Sequence, residues 1–201
     1  PRRRHLAAVG LSRQARYRAA EPTIVKLIIL DRDGVINHDS DAFIKNPDEW
    51  RPLPGSLEAI ARLCKAGYRV VVATNQSGVA RGLFDLATLG RINAKMQQAV
   101  AAAGGRIDAV FFCPHGPDAG CACRKPKPGM LLEILQRFRA APAEVHAIGD
   151  HLRDLQAAHA AGCRPVLVLT GKGQATMKKG DLPPDTVVRV DLAAVAAELA
   201  P

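Results

Sequence analysis

The stretch LIILDRDGVIN, Leu27–Asn37, runs four aliphatic residues straight into two aspartates separated by one arginine. An apolar run without polar alternation suits a strand covered on both faces, as in a parallel sheet. Its end is electrostatically awkward. Side chains two positions apart on extended chain point the same way, so Asp31 and Asp33 resist joint ionisation unless a cation lies between them or one keeps a proton. Gly34 lets the backbone turn away and leaves the carboxylates accessible.

Further along, similar short runs rich in Val, Ile and Leu recur: 69–73, 108–112, 145–148, 165–169 and 186–190, joining a first strand over 25–30. Helical patterns separate them. SLEAIARLCKAG (56–67) puts Leu57, Ile60, Leu63 and Cys64 on one face, with Ser56 predicted as N-cap and Gly67 as the stop. The segments 86–104, 128–138, 152–162 and 191–200 read as further helices. This alternation predicts an α/β fold, a doubly wound and mostly parallel sheet with helices on both faces. At 201 residues one domain is expected, spanning 25–201, because a chain of this size buries a single sizeable core. In such folds ligands gather beyond the carboxyl ends of the strands. There the chain places Asp31 to Gly34, Thr74 to Ser77, Cys113 to His115, and Gly149 with Asp150.

Composition agrees. Apolar residues make up 48% and aromatics only 4%, so Ala, Val, Leu and Ile build the core. No apolar run approaches the ~20 residues of a membrane span, and no apolar segment of signal-peptide type follows the first arginines; a soluble, cytoplasmic protein without membrane partners is expected. The net charge of +9 is uneven, since residues 1–24 hold six arginines and one glutamate. That segment reads as a basic, unstructured extension, and a start of translation at Val25 is a sharper form of the same expectation. A basic arm on nucleic acid is the competing reading, weakened because Tyr17 is its only base-stacking aromatic.

Five cysteines in a cytoplasmic chain argue against a disulfide framework. Cys113, His115, Cys121 and Cys123 lie within eleven residues rich in Gly and Pro. Three thiolates and an imidazole form a closed tetrahedral set, which points to structural Zn²⁺. Cys64 and Cys163 read as small apolar fillers. Pinning Cys123 would also fix Arg124 and Lys125, two cations suited to anionic groups. Asp31, Asp33 and Asp150 supply hard oxygen ligands, fitting Mg²⁺ better than zinc.

DRDGV after an apolar strand, Thr74 after the second strand, Lys125 after the third and Gly149-Asp150 after the fourth resemble the motifs of the haloacid-dehalogenase (HAD) superfamily of phosphatases. The resemblance implies Asp31 as nucleophile and Asp33 as general acid and base. It also implies Mg²⁺ held by Asp31, the Asp33 carbonyl and Asp150, with Thr74 and Lys125 on the transferring phosphoryl group. Asp154 is read either as support for the site or as an ordinary first-turn acid. DRDGVIN, TNQSGVARG and CPH…CACRKPKPGM narrow the resemblance to the heptose 1,7-bisphosphate 7-phosphatases, with the histidinol-phosphate phosphatases close behind. A sugar bisphosphate is the implied small-molecule partner, on the route to nucleotide-activated heptose for lipopolysaccharide, and a monomer without a large cap domain is the implied form. The same carry-over gives substrate contacts at Asp39, Ser40, Asp41, Ala42, Thr74, Asn75, Gln76, Ser77, Arg124, Lys125 and His151. The sequence departs from the family pattern in a shorter zinc loop and at HDSDA, which lacks the usual glycine and aromatic.

Overall fold

The computed structural model describes residues 25–201, so the expectations for residues 1–24 lie outside the described residues. Six strands form one sheet, β1 (Leu27–Leu30), β2 (Arg69–Asn75), β3 (Ala109–Cys113), β4 (His146–Gly149), β5 (Arg164–Val168) and β6 (Val187–Arg189), in the order β3-β2-β1-β4-β5-β6. Every pairing is parallel; Leu30 of β1 sits opposite Val72 on one side and Ile148 on the other. The chain winds outward from β1 in both directions, so the switch point lies between β1 and β4. A crevice opens there at the carboxyl edge of the sheet.

The absence of alternation in β1 has a direct cause. Ile28 and Leu30 pack into one apolar cluster while Leu27 and Ile29 pack into another. The first is covered by α1 (Ser56–Lys65), α2 (Leu86–Ala102) and α6 (Leu192–Leu199), through residues such as Ile60, Leu63, Met96 and Val195. The second is covered by α3 (Gly129–Phe138) and α4 (Leu152–Ala160), through Ile134, Leu135 and Ala157. A strand so placed needs apolar side chains at every position.

Two local readings change. Ser56 is not the N-cap of α1 but its first helical residue; Gly55 caps, at φ 75°, with no side-chain bond. The buried Ser56 hydroxyl instead donates to the Ile36 and Leu53 carbonyls at 2.7 and 2.8 Å, stitching the loop after β1 to α1. A further helix, α5 (Gly173–Lys179), was not foreseen, because GQATMKK carries too few apolar residues to show a period. Among the described residues no helix is long and apolar enough to cross a membrane.

Candidate active site and zinc loop

Asp31 follows the last residue of β1, and its backbone N–H still donates to Ile148 of β4, so the nucleophile candidate is held by the centre of the sheet. Its Oδ1 accepts from the Arg32 N–H at 2.8 Å and pairs with the Lys125 ammonium at 3.1 Å. Lys125 is buried; its Nζ also contacts Asp154 at 2.7 Å and donates to the Ala73 carbonyl at 2.8 Å. Burial alone would drive a lysine neutral, but Asp154 and Asp31 outweigh it and hold Lys125 above its ordinary range. Lys125 reaches this place because the Asn75 side chain clasps its backbone, with Nδ2 donating to the Lys125 carbonyl and Oδ1 accepting from its N–H.

Asp150 follows β4. Asp31, Asp150 and Asp154 are all buried and bring carboxylate oxygens within 4.8 Å of one another. Burial is the main cause lifting Asp31 to about 6, opposed by Lys125; burial together with Asp31 and Asp154 lifts Asp150 to about 8. Three buried carboxylates that cannot all ionise alone are the donor set a hard divalent cation satisfies, so the residues fit Mg²⁺. The backbone is shaped around Asp150. At Gly34 (φ 84°) and Gly171 (φ 54°) an added Cβ would stand 2.0 and 2.2 Å from Asp150 Oδ2. The Lys172 N–H donates to that same oxygen at 2.7 Å, and Thr176 of α5 donates to the Asp150 carbonyl at 2.9 Å.

Asp33 behaves differently from its neighbour. It follows the bend at Arg32 and forms an isolated bridge with Asn37, and its carboxylate accepts from Arg32 Nε and Nη2 at 3.0 Å each, and from Asn37 and Gln76 at 2.9 Å. Burial would raise it, yet Arg32 and these hydrogen bonds hold it below the usual carboxylate range. Arg32 is fully buried and its Nη1 reaches Asn93 of α2 at 3.3 Å. The acid pair is thus relieved by two cations, Lys125 for Asp31 and Arg32 for Asp33. Each cation serves one acid rather than lying between the two.

The cleft above these groups measures about 200 Å³ and is lined by Asp31, Asp33, Asp39, Ser40, Asp41, Thr74, Asn75, Gln76, Ser77 and Arg124 among the expected residues. Three expected substrate contacts do not line it; the first is Lys125, buried against Asp31, Asp154 and the Ala73 carbonyl. Ala42 lines a neighbouring cavity with Lys45, Asp48 and Arg51, and the His151 ring is turned into the cap of α4, where Nδ1 accepts from the Arg153 N–H at 3.3 Å. Only the His151 backbone N–H meets the site, donating to Asp154 Oδ2 at 3.1 Å. Phe43, Ile44, Arg153 and Lys172 line the cleft unannounced. Lys172 pairs with Asp39 at 3.2 Å and Asp41 at 2.9 Å; a cation after the fifth strand was the available signal. A wider open groove of about 820 Å³, lined by Arg62, Lys65 and Arg106, lies toward the opposite, amino-terminal edge of the sheet and carries no comparable acid cluster.

Cys113, the last residue of β3, meets His115, Cys121 and Cys123. Cys113 Sγ is 3.5 Å from His115 Nδ1, 3.7 Å from Cys121 Sγ and 3.4 Å from Cys123 Sγ, and Cys123 Sγ is 3.4 Å from His115 Nδ1. Tetrahedral zinc with ordinary bond lengths gives edges of about 3.8 Å for S–S and about 3.6 Å for S–N. The four groups therefore fit zinc in both type and spacing. Without a cation they perturb one another: burial and the adjacent thiols push Cys123 up to about 12. The loop also touches the cleft, because Arg124 Nη1 donates to the His115 carbonyl at 3.2 Å. Cys163 is buried in the α3–α4 cluster as a filler, whereas half-buried Cys64 also accepts the Arg106 N–H on sulfur.

Comparison with known proteins places this geometry. A model of the HAD-hydrolase-like family matches residues 122–194. The chain is 63% identical over 175 residues, 87% of its own length and 98% of the relative's, to the D-glycero-beta-D-manno-heptose-1,7-bisphosphate 7-phosphatase of Bordetella bronchiseptica. It is 40% identical to the enzyme of that name from Photorhabdus laumondii, over 74% of this chain and 82% of the relative. Among solved structures, the D,D-heptose 1,7-bisphosphate phosphatase from B. bronchiseptica complexed with magnesium and phosphate superposes with a TM-score of 0.86 at 63% identity, covering 87% of this chain and 98% of that one. The corresponding phosphatase from Burkholderia thailandensis gives 0.70 at 55% identity, covering 87% and 97%.

Proposed function

We infer the chemistry from family membership: the chain belongs to the D-glycero-β-D-manno-heptose-1,7-bisphosphate 7-phosphatases, a family of HAD-like hydrolases. It is a phosphomonoester hydrolase that releases the C7 phosphate of the heptose bisphosphate. The observation that carries the residue assignment is the buried Asp31, pinned through Oδ1 by Lys125 and the Arg32 N–H beside Asp150 and Asp154.

Oδ2 of Asp31 has no protein donor among the described contacts and is the oxygen left to attack phosphorus. Attack forms the aspartyl-phosphate bond and breaks the bond from phosphorus to the C7 oxygen, dividing one hard displacement into two. Thr74 at the cleft orients the equatorial phosphoryl oxygens, and Lys125, whose N–H groups face Asp31, Asp154 and the Ala73 carbonyl at rest, turns one toward them to neutralise their charge. Asp33 gives a proton to the leaving alkoxide, then takes one from the water that hydrolyses the intermediate and restores the Asp31 carboxylate. Its resting contacts are those of an ionised carboxylate, so the acid step requires Asp33, already at the cleft, to loosen from Arg32 and take up a proton from solvent before the alkoxide leaves. Asp31, Asp150 and the Asp33 carbonyl would hold Mg²⁺, which when bound cancels the repulsion between nucleophile and phosphate. Cys113, His115, Cys121 and Cys123 would hold a structural zinc.

Arg124 and Arg153 at the cleft favour an anionic substrate and oppose the ammonium of histidinol phosphate. Phosphate release in Mg²⁺ from heptose 1,7-bisphosphate and from histidinol phosphate, measured in parallel, tests the assignment. The expected kcat/KM preference for the heptose is about tenfold or more, and faster turnover of histidinol phosphate would overturn it. Asp31→Asn is expected to lower kcat by about four orders of magnitude or more.

A further inference from the structure

The cleft has more charge than the chemistry at phosphorus needs, and the charges sort into pairs. Asp31 is matched by Lys125, Asp33 by Arg32, and Asp39 with Asp41 by Lys172. Two cations lining the same cleft remain: Arg124 and Arg153 have no carboxylate within ion-pair distance among the described residues. Arg124 spends one N–H on the His115 carbonyl. Arg153 spends no side-chain N–H on the protein, and its Nε is sealed from solvent without a hydrogen-bond partner. It is also the second residue of α4, near the positive end of the helix, where a guanidinium is disfavoured and an anion is welcome. A half-buried, unpaired guanidinium is an expensive arrangement unless something outside the protein completes it.

A planar fork of donors is the group best shaped to take a phosphate bidentately. Lys125 and Thr74 already serve the phosphate that reacts. We propose that Arg153 is a specificity-determining residue which, together with Arg124, grips the phosphate that the reaction leaves in place. The inference rests on the sugar-bisphosphate reading above and adds the residue that makes the second phosphate matter. Lys172 pairs with Asp39 and Asp41, the acids of the loop 38–45, and neither acid lies within ion-pair distance of Arg153.

The test uses Arg153→Met and Arg153→Lys in the full chain, with melting temperature as the folding control. Phosphate release is measured on heptose 1,7-bisphosphate and on heptose 7-phosphate, and inhibition by heptose 1-phosphate gives a readout independent of turnover. Arg153→Met is expected to raise KM for the bisphosphate and Ki for the 1-phosphate by about tenfold or more, with a several-fold smaller loss on the 7-phosphate. Arg153→Lys recovers part of both. Equal losses on both substrates, or an unchanged Ki for the 1-phosphate, would overturn the proposal. Failure of the substrate reading looks different: wild type then prefers another bisphosphate, and the Arg153 ratio is read on that compound and its monophosphate.

Discussion

Asp33 and Asp150 are both carboxylates placed just beyond strand ends, yet their surroundings drive them in opposite directions. Arg32 and two amides hold Asp33 down, while burial beside Asp31 and Asp154 lifts Asp150 to about 8. For an acid whose folded pKa exceeds its unfolded value, the native state binds more protons across the interval, so stability falls as pH rises through it. Without metal, Asp31 and Asp150 therefore destabilise the protein progressively from about pH 4 to about pH 8. Mg²⁺ reverses this by favouring both ionised forms. The melting temperature should accordingly rise more on adding Mg²⁺ at pH 8 than at pH 6, and an equal rise at both would contradict the assignment of the cluster. Asp31, Thr74 and Asp150 were legible as candidates because each stands at a strand end in a chemically loaded motif, and Lys125 because it directly follows the Cys/His loop after β3. Arg153 and Gly171 were not. Their significance depends on which neighbours the fold leaves unpaired or crowded, and no spacing in the sequence encodes that.

At the scale of single elements, the Cys/His loop 113–123, proposed above to hold zinc, is the piece whose purpose can be isolated. It begins on the last residue of β3 and ends one residue before Arg124, so its closure sets where Arg124 and Lys125 leave the backbone. Elemental analysis should find one zinc per chain. Stripping it with a strong chelator should lower both the melting temperature and the activity, and zinc, not magnesium, should restore them. A metal-free protein with full activity would show the loop to be self-supporting. Cysteine and histidine spacing announced the meeting of these four side chains. The short α5 had no such signal, although Thr176 on it supports the Asp150 carbonyl, because its contribution is one hydroxyl rather than an apolar face. Ser56 was misjudged as a cap for a related reason: its hydroxyl serves a loop from twenty residues earlier in the chain.

Over the whole molecule, one sheet divides two apolar clusters that share its strands residue by residue. Such an arrangement should unfold as a unit. Trp50, the sole tryptophan, is buried in the α1–α2–α6 cluster, and Ile134 is buried in the opposite one. Ile134→Ala should cost about 2–5 kcal/mol and displace the Trp50 fluorescence transition as far as the circular dichroism transition; an unmoved Trp50 signal would show that the faces melt separately. The layered architecture was readable from the alternation of runs, since burial on both faces leaves an unbroken apolar signature, whereas the loop 38–45 lining the cleft left none. Asp154 joins these levels, because one of its oxygens receives the His151 N–H that starts α4 and the other meets Lys125. The register of a helix and the position of a cation are thus one adjustment, not two. A variant meant to admit a larger sugar is therefore better sought in the loop 38–45 than at the floor of the cleft, although that loop is itself held by Lys172 on Asp39 and Asp41, by Glu49 on Lys45 and by Arg81 over Phe43.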